Sequence, residues 1–232
     1  MFEIDHVVTW TPERDTAVAA LAALTGLPAR DGYAPDGRLQ ARGLRFANGP
    51  FRDIHAAPAE GRVLMGLEGP LIEAQALADR QGWRTKAGAG PDEPWDMLSF
   101  RKGQGLLTQL FVIDYRPEQV ASRSAFNRGL YHLPPTGGPR LARVWIATTD
   151  TAQAGVHLAA LGFAAAGAIR SDVAPFEGQL HRGPRADVVL CSGEDSVIRI
   201  DAPTAEPLQT VALGARLTAV VGRDQLDRAS AS

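Results

Sequence analysis

Cysteine is nearly absent from this chain of 232 residues, and long apolar runs are missing. The single cysteine, Cys191, has no partner for an internal disulfide, and its apolar surroundings predict a small buried side chain. No apolar run is long enough to span a bilayer, and no basic segment followed by an apolar one opens the chain. These absences predict a protein without a membrane segment, with a cytoplasmic location.

An excess of charge of either sign is also missing, because the formal net charge is only -2. A balance of this kind offers no electrostatic case for nucleic acid or an anionic membrane as a partner. Phosphate-binding loops, dinucleotide fingerprints and nucleophile elbows are absent as well. A hydrophobic content of 45% is ordinary for a globular protein, so a small-molecule ligand is the expected partner class.

The stretch 4–8 reads as a short strand with a histidine at its centre. Strict alternation would place Ile4, His6 and Val8 on one face and Asp5 on the other. An imidazole in an apolar row needs a hydrogen-bond partner or a chemical task. His6 is therefore the first candidate functional residue.

A pattern of strand, helix and further strands occurs three times, with a period near the mid-fifties. The units span about 1–58, 61–116 and 140–202, and each is too small to bury its apolar face alone. We therefore predict an α+β fold of tandem βαβββ modules whose copies pair with one another. The expected domains are 1–116, a connector at 117–138, and 139–232.

The predicted elements place further candidate residues and leave the role of the last strand open. The strand predicted at 106–114 carries Gln109 in an apolar row, and the stretch 30–37 reads as turn-rich. The strand at 197–201 is assigned to the third unit, and a last strand at 215–221 either opens a truncated fourth unit or completes a sheet edge. His132 in the connector is a candidate acid or base on a flap.

Short motifs in this order resemble the vicinal oxygen chelate superfamily, which includes glyoxalase I, bleomycin-resistance proteins and extradiol dioxygenases. The resemblance is greatest to its glyoxalase-like domain branch. It rests on the opening strand Ile4-Asp5-His6-Val7-Val8, the helix end Leu24-Thr25-Gly26-Leu27, the strand Phe51-Arg52-Asp53-Ile54, the spacing of Gly32 to Gly37 with Ala34 in place of a histidine, and Leu141-Ala142-Arg143-Val144.

The resemblance implies that the first two modules pair into a cup-shaped sheet, and that side chains from the first and last strands of the paired modules hold a divalent metal. By position, His6 and Asp53 would be ligands of the first unit and Gln109 of the second, while Leu64 or Met65 stands where another ligand is expected. With His55 as a further donor, the set would suit Zn, Mn, Ni or Fe(II), and the metal would polarise a carbonyl or bind a vicinal diol. The alternative is a core histidine at position 6 paired with Asp53.

The third unit places Arg143 opposite His6 and Arg199 opposite Asp53, which argues against a metal there. Two arginines would instead suit a carboxylate or phosphate, unless they are ordinary strand residues that are exposed or paired with Asp53 or Asp201. Trp145, together with Trp10, Trp95 and Tyr131, is a candidate wall for an aromatic ligand, although tryptophans in strands more often belong to the core.

The sequence leaves two small-molecule functions and one structural role open. The first is a glyoxalase-like small-molecule enzyme of lyase, isomerase or dioxygenase type, with His6 and Asp53 as catalytic residues. The second is a metal-free protein that binds or sequesters a small molecule, as bleomycin-resistance proteins do, at an arginine-lined anion site. A scaffold whose cup is filled by side chains is a third possibility, and the resemblance also allows a homodimer.

Overall fold

The computed structural model of the chain describes residues 1–34, 36–88, 93–118, 129–131, 137–171, 173, 177–213 and 217–222. The elements of the first half are β1 (Glu3–Thr11), α1 (Arg14–Thr25), β2 (Arg30–Tyr33), β3 (Leu39–Arg45), β4 (Phe51–Ala56), β5 (Val63–Glu68), α2 (Leu71–Gln81), β6 (Thr85–Gly88), β7 (Trp95–Phe100), a 3₁₀ helix (Gly105–Gln109) and β8 (Leu110–Tyr115). The elements of the second half are β9 (Arg143–Thr148), α3 (Thr151–Ala160), β10 (Ala164–Arg170), β11 (Glu177–Arg182), β12 (Asp187–Ser192), β13 (Ser196–Pro203), β14 (Gln209–Ala212) and β15 (Thr218–Gly222). Within the described ranges, none of the helices has the length and apolar character needed to cross a bilayer.

The first half forms one sheet of eight strands in the order β2-β3-β4-β1-β5-β8-β7-β6. β1 pairs in parallel with β4 and antiparallel with β5, and β5 in turn pairs in parallel with β8. The two βαβββ modules therefore join edge to edge through their first strands. The predicted α+β fold of tandem modules that pair into one sheet is confirmed.

The second half forms a sheet of seven strands in the order β10-β11-β12-β9-β13-β15-β14. β9 pairs in parallel with β12 and antiparallel with β13, and β13 pairs in parallel with β15, as in the first sheet. β13 thus opens a fourth, truncated module. The assignment of the strand at 197–201 to the third module is wrong, because this strand pairs with the other edge of β9. The predicted domain boundaries stay a prediction.

One hydrophobic core lies between the two sheets. Its largest cluster takes side chains from both, for example Val7 and Met65 of the first sheet and Ile146 and Val221 of the second. α1 contacts β3 and β4 of its own sheet and also β14 and β15 of the other. This helix thereby covers the strands of the truncated module, and the other face of each sheet turns away from the shared core.

The structure differs from the sequence prediction in several short segments. Residues 105–109 form a 3₁₀ helix, where a strand was expected, and Gly103 and Gly105 precede and open it with φ angles of 80° and 53°. β2, β11 and β14 were not predicted as strands. β2 and β14 are four residues each and lie at sheet edges, so their pairing is decided by the neighbouring strand more than by their own residues.

Asn48, in the turn between β3 and β4, joins the two halves. Its Nδ2 donates hydrogen bonds to the carbonyl oxygens of Leu141 at 2.9 Å and Arg185 at 2.7 Å, and its Oδ1 accepts from the amide of Leu141 at 2.9 Å. The neighbouring Ala47 amide donates to the carbonyl of Pro139 at 3.1 Å. A single side chain thus satisfies three main-chain groups of the second half.

Replacement of this side chain should weaken the joint. We expect Asn48→Ala to lower the free energy of unfolding by about 2–3 kcal/mol, because three partly buried main-chain groups lose their partner. Asn48→Asp retains the acceptor for Leu141 but sets a carboxylate oxygen against the two carbonyl oxygens, so a loss at least as large as that of Asn48→Ala is expected. Urea denaturation at neutral pH measures both variants. A loss below about 0.5 kcal/mol in Asn48→Ala would contradict the assignment.

Arg52 is a charged residue on the core face of β4, with no measurable exposure. Its Nη1 donates to the carbonyl oxygens of Val7 at 2.5 Å and Asp53 at 2.6 Å, whereas its Nε and Nη2 have no hydrogen-bond partner. Removal from water lowers the pKa of Arg52 to about 9. The guanidinium therefore reduces the stability of the fold.

An apolar side chain of similar length should stabilise this position. We expect Arg52→Met to raise the free energy of unfolding at neutral pH by about 1–3 kcal/mol. The pKa of the folded state, about 9, lies below the ordinary 12.5, so the unfolded chain holds the proton more strongly and the penalty shrinks as the pH rises above 9. Urea denaturation measures the free energy of unfolding of both proteins. The excess of the Arg52→Met value over the wild-type value should decrease as the pH is raised to about 10. An advantage that does not change with pH would contradict this account.

Candidate active site

A β-bulge in β1 arranges the polar residues of the site. Ile4 pairs with Leu67 and His6 with Gly66 on β5, so Asp5 has no residue opposite it. Ile4 consequently packs in the shared core, while Asp5 and His6 both lie on the cup side. The expectation that Ile4 and His6 share a face, with Asp5 on the other, is wrong, because a bulge interrupts strict alternation.

The cup of the eight-stranded sheet contains a pocket of about 200 Å³. Its described lining is mainly aromatic and aliphatic, with a few polar groups: His6, Val8, Trp10, Gln40, Asp53, His55, Leu64, Trp95, Met97, Ser99, Phe111, Ile113, Tyr115 and Tyr131. The third possibility, a cup filled by its own side chains, does not fit a pocket of this size.

Asp5, His6 and Tyr115 form a buried hydrogen-bond network at the base of this pocket. Asp5 Oδ2 lies 2.7 Å from His6 Nδ1 and accepts a hydrogen bond from the Tyr115 hydroxyl, also at 2.7 Å. Burial opposes ionisation of Asp5, but His6, the Tyr115 hydroxyl and the charge of Arg45 outweigh it, so the pKa of Asp5 lies below its ordinary value. Asp5 is therefore an anion that orients the imidazole.

The His6 ring is held on both sides by aromatic residues. It stacks on Phe51 with ring centroids 4.6 Å apart and meets the edge of Phe111 at 5.1 Å. Gly66 leaves room for the ring, since a Cβ there would lie 2.8 Å from His6 Cε1 and 2.8 Å from the Phe111 ring. His6 Nε2 has no hydrogen-bond partner in the described part of the chain. It is the nitrogen that a ligand can reach.

Asp53 and His55 form a second polar pair, one pleat along β4. Asp53 Oδ2 lies 3.2 Å from His55 Nε2, and His55 stacks on Trp10 at 5.2 Å between ring centroids. Asp53 Oδ1 is buried and has no hydrogen-bond partner. The predicted pairing of His6 with Asp53 is not formed, because each takes a different neighbour.

The end of the connector supplies one wall of the pocket. The Leu130 amide donates to the carbonyl of Asp31 at 2.7 Å, and Arg45 Nη1 donates to the carbonyl of Tyr131 at 2.6 Å. Gly32 permits this approach, since a Cβ there would lie 2.8 Å from the Tyr131 ring. Tyr131 thus joins Trp10 and Trp95 in one pocket. His132, the predicted flap residue, lies outside the described residues.

The predicted metal ligands do not come together as a set. Gln109 ends the 3₁₀ helix, does not line the pocket, and donates from Nε2 to Thr108 Oγ1 at 3.1 Å. The second module presents Leu64 and Phe111 to the pocket instead. Across the described ranges, no three His, Cys, Asp or Glu residues lie close enough to hold a metal ion. The donors that the described residues offer at this site therefore do not fit a divalent metal.

Arg143, Trp145 and Arg199 belong to the other sheet, around Asp201. Arg199 Nε donates to Asp201 Oδ1 at 2.5 Å, Trp145 Nε1 donates to Oδ2 at 2.7 Å, and Arg143 Nη1 lies 3.7 Å from the same oxygen. The Arg199 guanidinium covers the Trp145 ring at 4.7 Å, and burial raises the pKa of Asp201 against the effect of its cationic neighbours.

These arginines do not join the site of His6. Arg199 lies on β13, the first strand of its module, and the prediction that it corresponds to Asp53 is wrong. Its pairing with Asp201, one of the two options that the sequence left open, is confirmed. A separate pocket of about 700 Å³ is lined by Arg199.

Comparison with known proteins rests on structure alone, because no family model and no curated protein matches the sequence. A Mn(II)-bound glyoxalase from Novosphingobium aromaticivorans is 10% identical with a TM-score of 0.65 over 94% of this chain and 81% of that one. A hypothetical protein from Staphylococcus aureus is 7% identical, with a TM-score of 0.64 over 95% and 98%. The 2,3-dioxygenase LapB from Pseudomonas sp. KL28 is 11% identical, with a TM-score of 0.59 over 96% and 92%.

These similarities define the class of the fold. The chain has the same paired-module α+β fold as the glyoxalase and dioxygenase structures. One solved structure with this fold carries Mn(II), so the fold is compatible with a divalent metal. At identities of 7–11%, the likeness concerns the fold and not the residues of the site.

Sequence reasoning missed Asp5 and Tyr115 as site residues. Asp5 was visible in the Asp-His pair of the opening strand, but strict alternation assigned it to the wrong face. Tyr115 ends β8, and its contact with Asp5 spans 110 positions of the chain. A periodicity argument carries no information on a contact at that separation.

Loss of the buried carboxylate should reduce stability in a pH-dependent way. We expect Asp5→Asn to lower the free energy of unfolding by about 3 kcal/mol at neutral pH, because two hydrogen bonds to a charged acceptor weaken. The pKa of Asp5 is lowered from 3.8, so its contribution is complete above pH 3.8 and is lost as the pH falls through the lower value in the folded state. Denaturation curves at several pH values give the free energy of unfolding of the wild-type protein and of Asp5→Asn. The difference between these two free energies should decrease only in that acidic range. A difference that narrows near neutral pH would contradict the assignment.

Proposed function

We propose that this protein is a small-molecule enzyme of glyoxalase-like type, and that the Asp5–His6 pair supplies its acid–base group without a metal. One observation carries this proposal. A buried carboxylate holds Nδ1 of a pocket histidine at 2.7 Å, and the other ring nitrogen has no partner in the described chain. An oriented imidazole at the wall of a pocket is the usual form of a general base.

The geometry supports a defined role for each member of the network. His6 Nε2 accepts a proton from the bound molecule, while Nδ1–H remains hydrogen-bonded to Asp5 and the anion stabilises the imidazolium that forms. Tyr115 holds Asp5 in place through its hydroxyl and is a positioning residue. The proton is then returned to the same or a neighbouring carbon atom of the bound molecule, which is chemistry of isomerase type. Dioxygenase chemistry has no support from these residues.

The pocket walls support a small, largely apolar ligand. Aromatic side chains surround the imidazole, and the ring nitrogen faces a lining with few competing polar groups. Such surroundings exclude water and strengthen the interaction between a bound molecule and His6.

Proton exchange at carbon tests this function without knowledge of the substrate. A panel of small aldehydes, ketones and hydroxyketones is incubated in D₂O with the protein, and loss of the signal of hydrogens next to the carbonyl is followed by ¹H NMR. We expect exchange of at least one compound, and we expect His6→Gln to slow it by about 100-fold or more, because an amide at the position of Nε2 is no base.

The matched comparison is His55→Gln, the other histidine of the pocket, for which a much smaller reduction is expected. A larger loss in His55→Gln than in His6→Gln would contradict the role of His6. Exchange that disappears with a chelator and returns with Zn, Mn, Ni or Fe(II) would instead support the metal-dependent enzyme that the resemblance implies.

A second candidate is a protein that binds a small molecule without turnover. The larger pocket lined by Arg199 favours this alternative, since a guanidinium offers paired donors to a carboxylate or phosphate. The pairing of Arg199 with Asp201 reduces the charge that remains for such a ligand. Tight binding of an anion there, with no proton exchange in the first cup, would favour this candidate. A homodimer stays a prediction.

A further inference from the structure

Asp53 is the polar group of the first cup that the acid–base role leaves unused. Its side chain is 5% exposed and lines the pocket, and its Oδ2 contacts His55 Nε2. Oδ1 has no hydrogen-bond partner, although it is buried. Arg52, the preceding residue, donates to the main-chain carbonyl of Asp53 and not to the carboxylate. A buried carboxylate oxygen without a donor is costly unless a ligand supplies one.

The walls next to Asp53 have the chemistry of a cation site. Trp10 stacks on His55, and Trp95 packs against Tyr131 with ring centroids 5.7 Å apart. Faces of tryptophan and tyrosine attract organic cations, and more strongly when water is excluded. No lysine or arginine belongs to the described lining of the pocket. Apart from the two histidines, of which His55 contacts Oδ2, no residue of the described lining can bring a positive charge to Asp53.

The position of Asp53 relative to His6 sets the size of the ligand. On β1 and β4, His6 pairs with Phe51 and Val8 pairs with Asp53, so the carboxylate lies one pleat beyond the imidazole on the adjacent strand. Two residues along a strand and one strand across correspond to about 8 Å between the Cα atoms. An aryl or short alkyl group spans such a distance between a reacting atom and an amine.

We propose that the first cup selects a small organic cation, with a protonated amine at Asp53 and an aromatic or aliphatic body between Trp10, Trp95 and Tyr131. This inference rests on the proposed function for its second end, where the reacting atom faces His6. It gives the residue that the superfamily resemblance assigned to a metal a different task, the binding of an ammonium group.

A pair of probes of equal shape tests this inference. Benzylamine is protonated at neutral pH, whereas benzyl alcohol is neutral, and isothermal titration calorimetry measures the binding of each to the full chain. We expect the wild-type protein to bind benzylamine at least tenfold more tightly than benzyl alcohol. Asp53→Asn should remove this preference, because an amide has the same shape but no charge.

Two further variants make the result specific. Asp96→Asn removes a carboxylate on β7 that is paired with Arg116 and does not line the pocket, so the preference for benzylamine should be unchanged. His6→Gln should also retain the preference, because the imidazole stands at the other end of the pocket. Loss of proton exchange in His6→Gln together with retained amine binding therefore separates the two proposals.

Several outcomes would overturn the inference. These are equal affinity for the two probes, a preference that survives Asp53→Asn, and no binding of either probe at millimolar concentration by a protein that is folded by circular dichroism. Stoichiometric Mn²⁺ or Zn²⁺ that is lost in Asp53→Asn would also overturn it, since the carboxylate would then serve a metal. The outcomes with the two probes do not bear on proton exchange by His6, which fails or holds by itself, whereas a bound metal would count against both proposals.

Discussion

The β-bulge at Asp5 is the constraint on which the site depends. Without the extra residue, the carboxylate would point into the core between the sheets, where an ionised group has no compensation. With it, Asp5 and His6 lie side by side, and Ile4 and Val7 can both enter the core. Within four residues, the bulge thus lets two apolar side chains pack in the core and two polar side chains lie on the cup side. The Tyr115 hydroxyl then fixes the position of the carboxylate from the far side of the sheet.

The two sheets share one core, and this sharing explains how a truncated fourth module is tolerated. The module that begins at β13 has strands but no helix in the described ranges, and α1 of the first module covers β14 and β15 in its place. Arg199 of the cluster around Asp201 and the imidazole of His6 line separate pockets.

Much of the fold could be predicted from the sequence, because repeated periodicity is a local property. The βαβββ repeat and the pairing of the first two modules follow from apolar patterns and from turn residues. The strand at 106–109 was wrong because its residues suit either structure, and the glycines before it favour a 3₁₀ helix. β2 and β14 escaped prediction because they are short edge strands, which depend on a neighbour for their hydrogen bonds.

The candidate site was predicted only in part, and the division has a physical reason. The sequence by itself determined that a histidine lies on the first strand, that Asp53 and His55 share a face of β4, and that aromatic residues accompany them. Only the tertiary structure decided which of these groups meet. It placed Asp5 beside His6, brought Tyr115 and Tyr131 from distant segments, and put Leu64 and Phe111 where metal ligands were expected. Residue type and alternation are properties of neighbouring residues, so they can be read from the sequence. A bulge, and a contact between residues a hundred positions apart, depend on how distant strands pair in the sheet.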